Sequence, residues 1–198
     1  MKKIAITGGI GSGKSLAGKY IAEQGYDVFS CDEISAQMLF EPNYISKIKH
    51  FFPSVVKNDT IDKRSLAELV FASKEKRLLL ETIAHPIIMR NLEEQMNSSK
   101  GNFVFAEVPL LFENNFQDEF DYIIVVLRDL ESRITSVMQR SAISREEVLK
   151  RIDAQFNYDK AKEKGEFSKK CFLIENNSNK EIFKENLLSF LNNVKHIS

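Results

Sequence analysis

The sequence predicts a three-layer α/β fold with a central parallel sheet of about five strands, and three observations predict it. A short apolar run, Ile4-Ala5-Ile6-Thr7, breaks into Gly8-Gly9 and is followed by a helical pattern. Two later runs, Phe103–Glu107 and Tyr122–Leu127, are almost continuously apolar, as strands covered on both faces must be. Strand and helix signals alternate along much of the chain, the order that builds a parallel sheet through helical crossovers.

Taken in order, Ser15 to Gln24 places Leu16, Tyr20 and Ile21 on one helical face, and Gly25 stops that helix. Asp27-Val28-Phe29-Ser30 reads as a second strand and completes a β-α-β unit, with Asp32 just past its end. Between Ile34 and Lys100 helical patterns recur and no strand is predicted. Asp62 and Ser73 suit helix N-caps there, Pro86 a helix start and Gly101 a stop. The stretch is expected to form a helical insertion at about 34–100, between core segments 1–33 and 101–198 of one domain spanning 1–198. After the two apolar strands, a helix from about Leu130 to Arg140 is predicted. Another opens at the capping-box pattern Ser144-Arg145-Glu146-Glu147, with Val148, Ile152 and Phe156 along one face. The region at about 130–165 is read as a helical lid. Phe172-Leu173-Ile174 supplies the last strand, and Ile182 to Val194 a closing amphipathic helix.

Composition excludes several classes. Lys plus Arg equals Asp plus Glu at 28 each, so no broad basic surface for nucleic acid is expected. Cys31 and Cys171 have no metal-ligand spacing and make no disulfide framework, which fits a reducing cytoplasm. The apolar run before Gly8 is too short for a signal-peptide core or a membrane span, so a soluble, cytoplasmic protein without a membrane or protein partner is expected.

The chemistry is concentrated in Gly8-Gly9-Ile10-Gly11-Ser12-Gly13-Lys14-Ser15, which satisfies Gly-x-x-x-x-Gly-Lys-Ser between a predicted strand and a predicted helix. Gly9, Gly11, Ser12 and Gly13 let backbone N–H groups turn inward around phosphate oxygens, and the helix start adds unpaired donors and a positive dipole end. Lys14 reaches the β- and γ-phosphates of a nucleotide, Ser15 suits Mg2+, and the backbone N–H of Leu16 suits the α-phosphate. The three-layer fold is therefore expected to be of the P-loop NTPase type.

The same loop serves GTPases, motors and small-molecule kinases. No Asp-x-x-Gly occurs, and Asn179-Lys180-Glu181-Ile182 lacks the guanine-reading acid, which disfavours a GTPase. Asp32, expected at the carboxyl edge of the sheet, suits either a carboxylate that orients or deprotonates an attacking hydroxyl, or the N-cap of a helix starting near Glu33. Glu107 ends a buried strand where such enzymes hold a metal-associated acid, acting through water, and a plain strand-end carboxylate reads as well. Arg133, Arg145 and Lys150 read as solvated helix-surface charges without a site role.

Beyond the loop, Thr-Gly-Gly-Ile-Gly-Ser-Gly-Lys-Ser at 7–15, His85-Pro86, Pro109-Leu110-Leu111-Phe112-Glu113, Arg151-Ile152-Asp153-Ala154-Gln155 and Ile174-Glu175-Asn176 resemble the dephospho-coenzyme A kinase family along nearly the whole chain. The resemblance implies transfer of the γ-phosphoryl of ATP, with Mg2+, to the ribose 3′-hydroxyl of dephospho-coenzyme A, the last step of coenzyme A synthesis. It also implies a catalytic group of Lys14, Asp32 and the lid arginine Arg140, and an ATP-side role for Asn176. Glu113 is implied as a substrate-side or metal-side acid, and His85 either contacts the coenzyme substrate or caps and packs. Arg151 and Gln155 match without a derivable role, and Ser30-Cys31-Asp32 and Ala36 depart from the usual Asp-Ala-Asp and following Arg. The rivals are a kinase for another metabolite and an ATP-responsive switch without catalysis.

Overall fold

In the computed structural model residues 1–195 are described. Strand β1 (Lys2–Thr7) leads through the glycine loop into helix α1 (Lys14–Ala22), then β2 (Val28–Ser30) and α2 (Cys31–Met38). Helix α3 (Pro42–Phe51), short strands β3 (Val56–Lys57) and β4 (Thr60–Ile61), α4 (Lys63–Phe71) and the long α5 (Lys74–Ser98) follow. The chain returns through β5 (Phe103–Glu107), β6 (Tyr122–Leu127), α6 (Leu130–Ser141), α7 (Arg145–Asp153) and α8 (Tyr158–Lys164), and ends with β7 (Cys171–Glu175) and α9 (Lys180–Lys195).

Five strands form one sheet in the order β2-β5-β1-β6-β7, and β1 pairs in parallel with both β5 and β6. The chain therefore visits one side of β1 before the other, a switch point that leaves room for a ligand beyond the carboxyl ends of the strands. The register pairs Ile6 with Glu107 and Thr7 with Val125, so the glycine loop starts level with the ends of both neighbours. Ile4, Ile6, Phe105, Ile124 and Val126 pack with Ala17 and Ile21 of α1 and with Phe183, Leu187 and Leu191 of α9. Ala5, Ile123 and Val125, whose side chains alternate to the opposite face, are equally buried, which is why these strands read as unbroken apolar runs.

The chain divides into two compact units, one of Met1–Phe29 with Ser98–Ser198 and one of Ser30–Asn97. The second has its own core of Met38, Tyr44, Ile48, Phe52, Val55, Ile61, Leu66 and Ile87. Burial within it pushes the Tyr44 phenol up to about 12.

Three expectations for this unit need correction. It contains a β-hairpin, β3 against β4, turned by Asn58 and Asp59 at φ 49° and 52°, the geometry of a two-residue primed turn. Pro86 does not start a helix: α5 runs through it from Lys74 to Ser98. Pro86 removes one helical hydrogen bond, which costs about 3 kcal/mol. Against that, Ile87 is buried in the unit's core, worth about 1.5–3 kcal/mol, and Ile83, Ala84 and Ile88 on both sides of Pro86 pack partly buried against it, each adding part of that. Packing outweighs the lost bond. Third, Asp32 is not a helix cap. Ser30 is the N-cap of α2, its hydroxyl accepting the Glu33 N–H at 3.4 Å, and Asp32 lies inside the first turn. Ser and Asp cap equally well, so Ser30 meets the same local need that an aspartate would.

In the first unit α7 stops at Asp153, so Phe156 leaves the predicted helical stripe and joins Phe112, Tyr158 and Phe167 in a ring cluster, and α8 is an additional helix. The caps at Asp62 and Ser144 form as predicted, the latter as a full capping box with Glu147.

Candidate active site

The loop after β1 is a rigid arch. Ser12 N–H donates back to Gly9 O at 3.1 Å, and Ala17 N–H to Gly13 O at 3.0 Å opens α1. Gly13 sits at φ 104°, where a β-carbon is strained, and one built there would lie 2.3 Å from Asn176 Nδ2. The first N–H groups of α1 point toward the loop, where the helix dipole favours an anion. Lys14 Nζ donates to Gly8 O at 2.7 Å and Gly9 O at 3.1 Å, which holds the ammonium on the arch. The Leu16 side chain packs, partly buried, against the core.

Ser15 Oγ donates to Glu107 Oε2 at 2.9 Å, and the Glu107 carboxylate lies over Gly18, where a β-carbon would approach Oε1 to 2.4 Å. A hydroxyl and a carboxylate beside a phosphate-binding loop are hard oxygen donors of the kind Mg2+ takes, together with phosphate oxygens and water. The pair expected from the two separate sequence positions is thus a direct contact.

Other predicted residues have different surroundings. Asn176 is 8% exposed, and its amide Nδ2 donates to Ser12 O at 2.8 Å while its backbone N–H donates to Leu127 O at 2.8 Å. Its amide is engaged on the loop backbone, tying the end of β7 to the arch. Glu113 accepts the Phe156 N–H at 2.9 Å, beside the ring cluster that Phe112 makes with Phe156, Tyr158 and Phe167. Arg140 is exposed in the last turn of α6. Asp32 and His85 belong to the helical unit, Asp32 exposed in α2 and His85 half-buried in α5. Burial holds the His85 imidazole below its ordinary range, with Glu81 acting against it.

The structure adds residues that sequence reasoning passed over. Gln155 Oε1 accepts the Ile10 N–H at 2.7 Å, and Tyr158 Oη lies 3.2 Å from Thr7 Oγ1. Burial pushes the Tyr158 phenol well up, so it keeps its proton. Arg133, read from sequence as a solvated charge, is 5% exposed and donates through Nε to Ile10 O at 3.1 Å. Its spacing of one helical turn from buried Val137 was the available signal.

Comparisons with known proteins agree with this architecture. Residues 2–181 match the family described as dephospho-CoA kinase. The dephospho-CoA kinase of Thermus thermophilus is 40% identical over 152 residues, covering 77% of this chain and 74% of that protein. The dephospho-CoA kinase of Fusobacterium nucleatum is 35% identical over 185 residues, covering 92% and 93%. A crystal structure of a Thermus thermophilus protein superposes with a TM-score of 0.82 at 35% identity, covering 96% of this chain and 95% of that one. With a family match spanning the glycine loop, the helical unit and the segment that braces the loop, the chain belongs to the dephospho-CoA kinase family.

Proposed function

We propose that this protein transfers the γ-phosphoryl group of ATP to the ribose 3′-hydroxyl of dephospho-coenzyme A, giving coenzyme A and ADP. The observation that carries the reading is the braced arch at 8–15, with Lys14 on its carbonyls and Ser15 bonded to Glu107, in a chain of this family. Phosphoryl transfer asks a protein mainly to position reactants and stabilise charge. Gly9, Gly11, Ser12 and Gly13 shape the cradle for the phosphates, and Lys14 neutralises charge on the β- and γ-phosphates. Ser15 directly, and Glu107 through water, would hold Mg2+, which when bound would offset negative charge on the phosphates.

The helical unit supplies the acceptor surface in this reading, with His85 a contact for the coenzyme substrate. Asp32 orients or deprotonates the attacking hydroxyl. Arg140, in the exposed last turn of α6, reaches over the transferring group from the lid region at about 130–165, whose Arg133, Gln155 and Tyr158 stay fastened to the loop side. ATP and dephospho-coenzyme A are the expected small-molecule partners, and the reaction belongs in the cytoplasm. Among the described residues no helix is long and apolar enough to cross a membrane.

The test is direct. The protein is incubated with Mg-ATP and dephospho-coenzyme A, and ADP and coenzyme A are quantified by chromatography, with Lys14→Ala as control. Equal amounts of the two products from the wild-type chain alone support the proposal. ADP formation without coenzyme A, or phosphorylation of a different metabolite in its place, overturns it.

A further inference from the structure

We infer that Arg133 is a positioning residue of the phosphate loop: it fastens α6 to the Gly9-Ile10 segment and sets a guanidinium charge against the arch that receives the triphosphate. This deepens the ATP-site reading and rests on it.

The geometry is built from four contacts. Arg133 Nε donates to Ile10 O at 3.1 Å, while the N–H of the same residue is held by Gln155 Oε1 at 2.7 Å. Both polar groups of Ile10 are thereby held by side chains, which leaves that stretch of loop little freedom to rotate its peptides. Peptide orientation decides whether neighbouring N–H groups converge on an anion, so bracing residue 10 acts on the phosphate cradle at one step removed. The guanidinium also lies close beside Gly9: a β-carbon there would come within 2.8 Å of Nη2 and 2.9 Å of Cζ. At Gly11 a β-carbon would meet Arg133 O at 2.7 Å, so the helix backbone itself rests on the arch.

The charge is unevenly compensated. Arg133 Nη1 lies 3.6 Å from Asp159 Oδ2, but the guanidinium side chain is 6% exposed and the carboxylate side chain 61% exposed. Solvent screens the carboxylate more than the buried cation. Gly9 therefore has two cations near it, Arg133 along its edge and Lys14 on its carbonyl. A polyanion bound in the cradle benefits from both, because a charge in a partly dry setting acts over a longer range than one in water. A purely structural arginine at this position would stabilise the fold and leave ATP affinity untouched.

Three variants separate these roles: Arg133→Met keeps volume without charge or donors, Arg133→Lys keeps charge without the planar fork, and Asp159→Asn removes the acid alone. Calorimetric titration with Mg-ATP, thermal melts without ligand, and steady-state kinetics with dephospho-coenzyme A are measured for each. Arg133→Met is expected to weaken ATP binding by about 10–100-fold, the range for losing a group that orients the residues holding a ligand, and Arg133→Lys by less. The increase falls on KM for ATP and leaves KM for dephospho-coenzyme A within about twofold, and Asp159→Asn binds ATP as tightly as wild type. Wild-type ATP affinity in a folded Arg133→Met or Arg133→Lys protein overturns the inference, as does an equal loss in Asp159→Asn. If Arg133→Met does not fold, Arg133→Lys alone decides. Failure of the wild-type chain to bind ATP overturns the ATP-site reading itself, a separate outcome.

Discussion

The two units of this protein are held in different ways. In the sheet unit, side chains distant in sequence bond to the glycine loop: Gln155 and Arg133 to Ile10, Asn176 to Ser12, Glu107 to Ser15. In the helical unit the side-chain bonds are mostly local, such as the Asp62 cap and the Arg64–Glu68 and Arg90–Glu94 pairs, with Lys49–Asp59 and Asn91–Glu41 reaching further. That unit also leaves aromatic rings in water, Phe71 at 91% and Phe40 at 70% exposure. The contrast teaches where rigidity is placed. A cradle that must stabilise developing charge is cross-linked in advance, because any reorganisation during the reaction raises the barrier. On the proposed reading, in which the helical unit receives a bulky acceptor, an apolar core and local helix bonds would leave its outer face free for contact.

The largest expected effect sharpens that division. Asp32→Asn, in the helical unit, is expected to lower kcat by about 10²–10⁴-fold while ATP affinity stays within about twofold. Kinetics and calorimetry on the same preparation check it, and near-wild-type turnover would reduce the helical unit to a binding surface. Next comes Gly13→Ala in the cradle, which combines a left-handed backbone with a clash against the Asn176 amide. It is expected to destabilise the protein by about 1–3 kcal/mol and weaken ATP binding, read from urea midpoints with and without nucleotide. An unchanged midpoint would mean that the arch is not rigid.

A smaller effect is expected for Glu107→Gln, which keeps shape and removes the charge facing Ser15. The Mg2+ concentration for half-maximal activity should rise by about tenfold, with the melting temperature little changed. The smallest effect concerns pH. The His85 pKa in the folded chain lies below its ordinary 6.5 because of burial. As pH falls through about 6.5 the unfolded chain binds a proton that the folded chain refuses, so this residue's contribution to stability is lost towards acid. Urea midpoints at about pH 7.5 and about pH 5.5 should differ more in wild type than in His85→Gln. Equal pH dependence in both would show that the helical unit opens around His85 without cost.

Much of this was legible before any coordinates, and the failures have physical reasons. The three inner strands of the main sheet, β1, β5 and β6, were readable because burial on both faces leaves an unbroken apolar run, and helix ends were readable where a cap is a local bond, as at Asp62 and Ser144. The hairpin escaped because strands of two residues carry no alternation, although Asn58-Asp59 was a weak turn signal. Pro86 misled because a local penalty was weighed without the core that Ile83 and Ile87 reach.

The order of residues by itself determined the phosphate loop, the lysine and serine that follow it, the parallel sheet and the family to which the motifs point. These depend on neighbours a few residues apart, where backbone geometry and side-chain period are already specified. Only the tertiary structure decided what braces the loop. Arg133, Gln155 and Asn176 reach it from 123 to 164 residues away, and a surface arginine and a buried one are the same letter until the helix that carries it is packed.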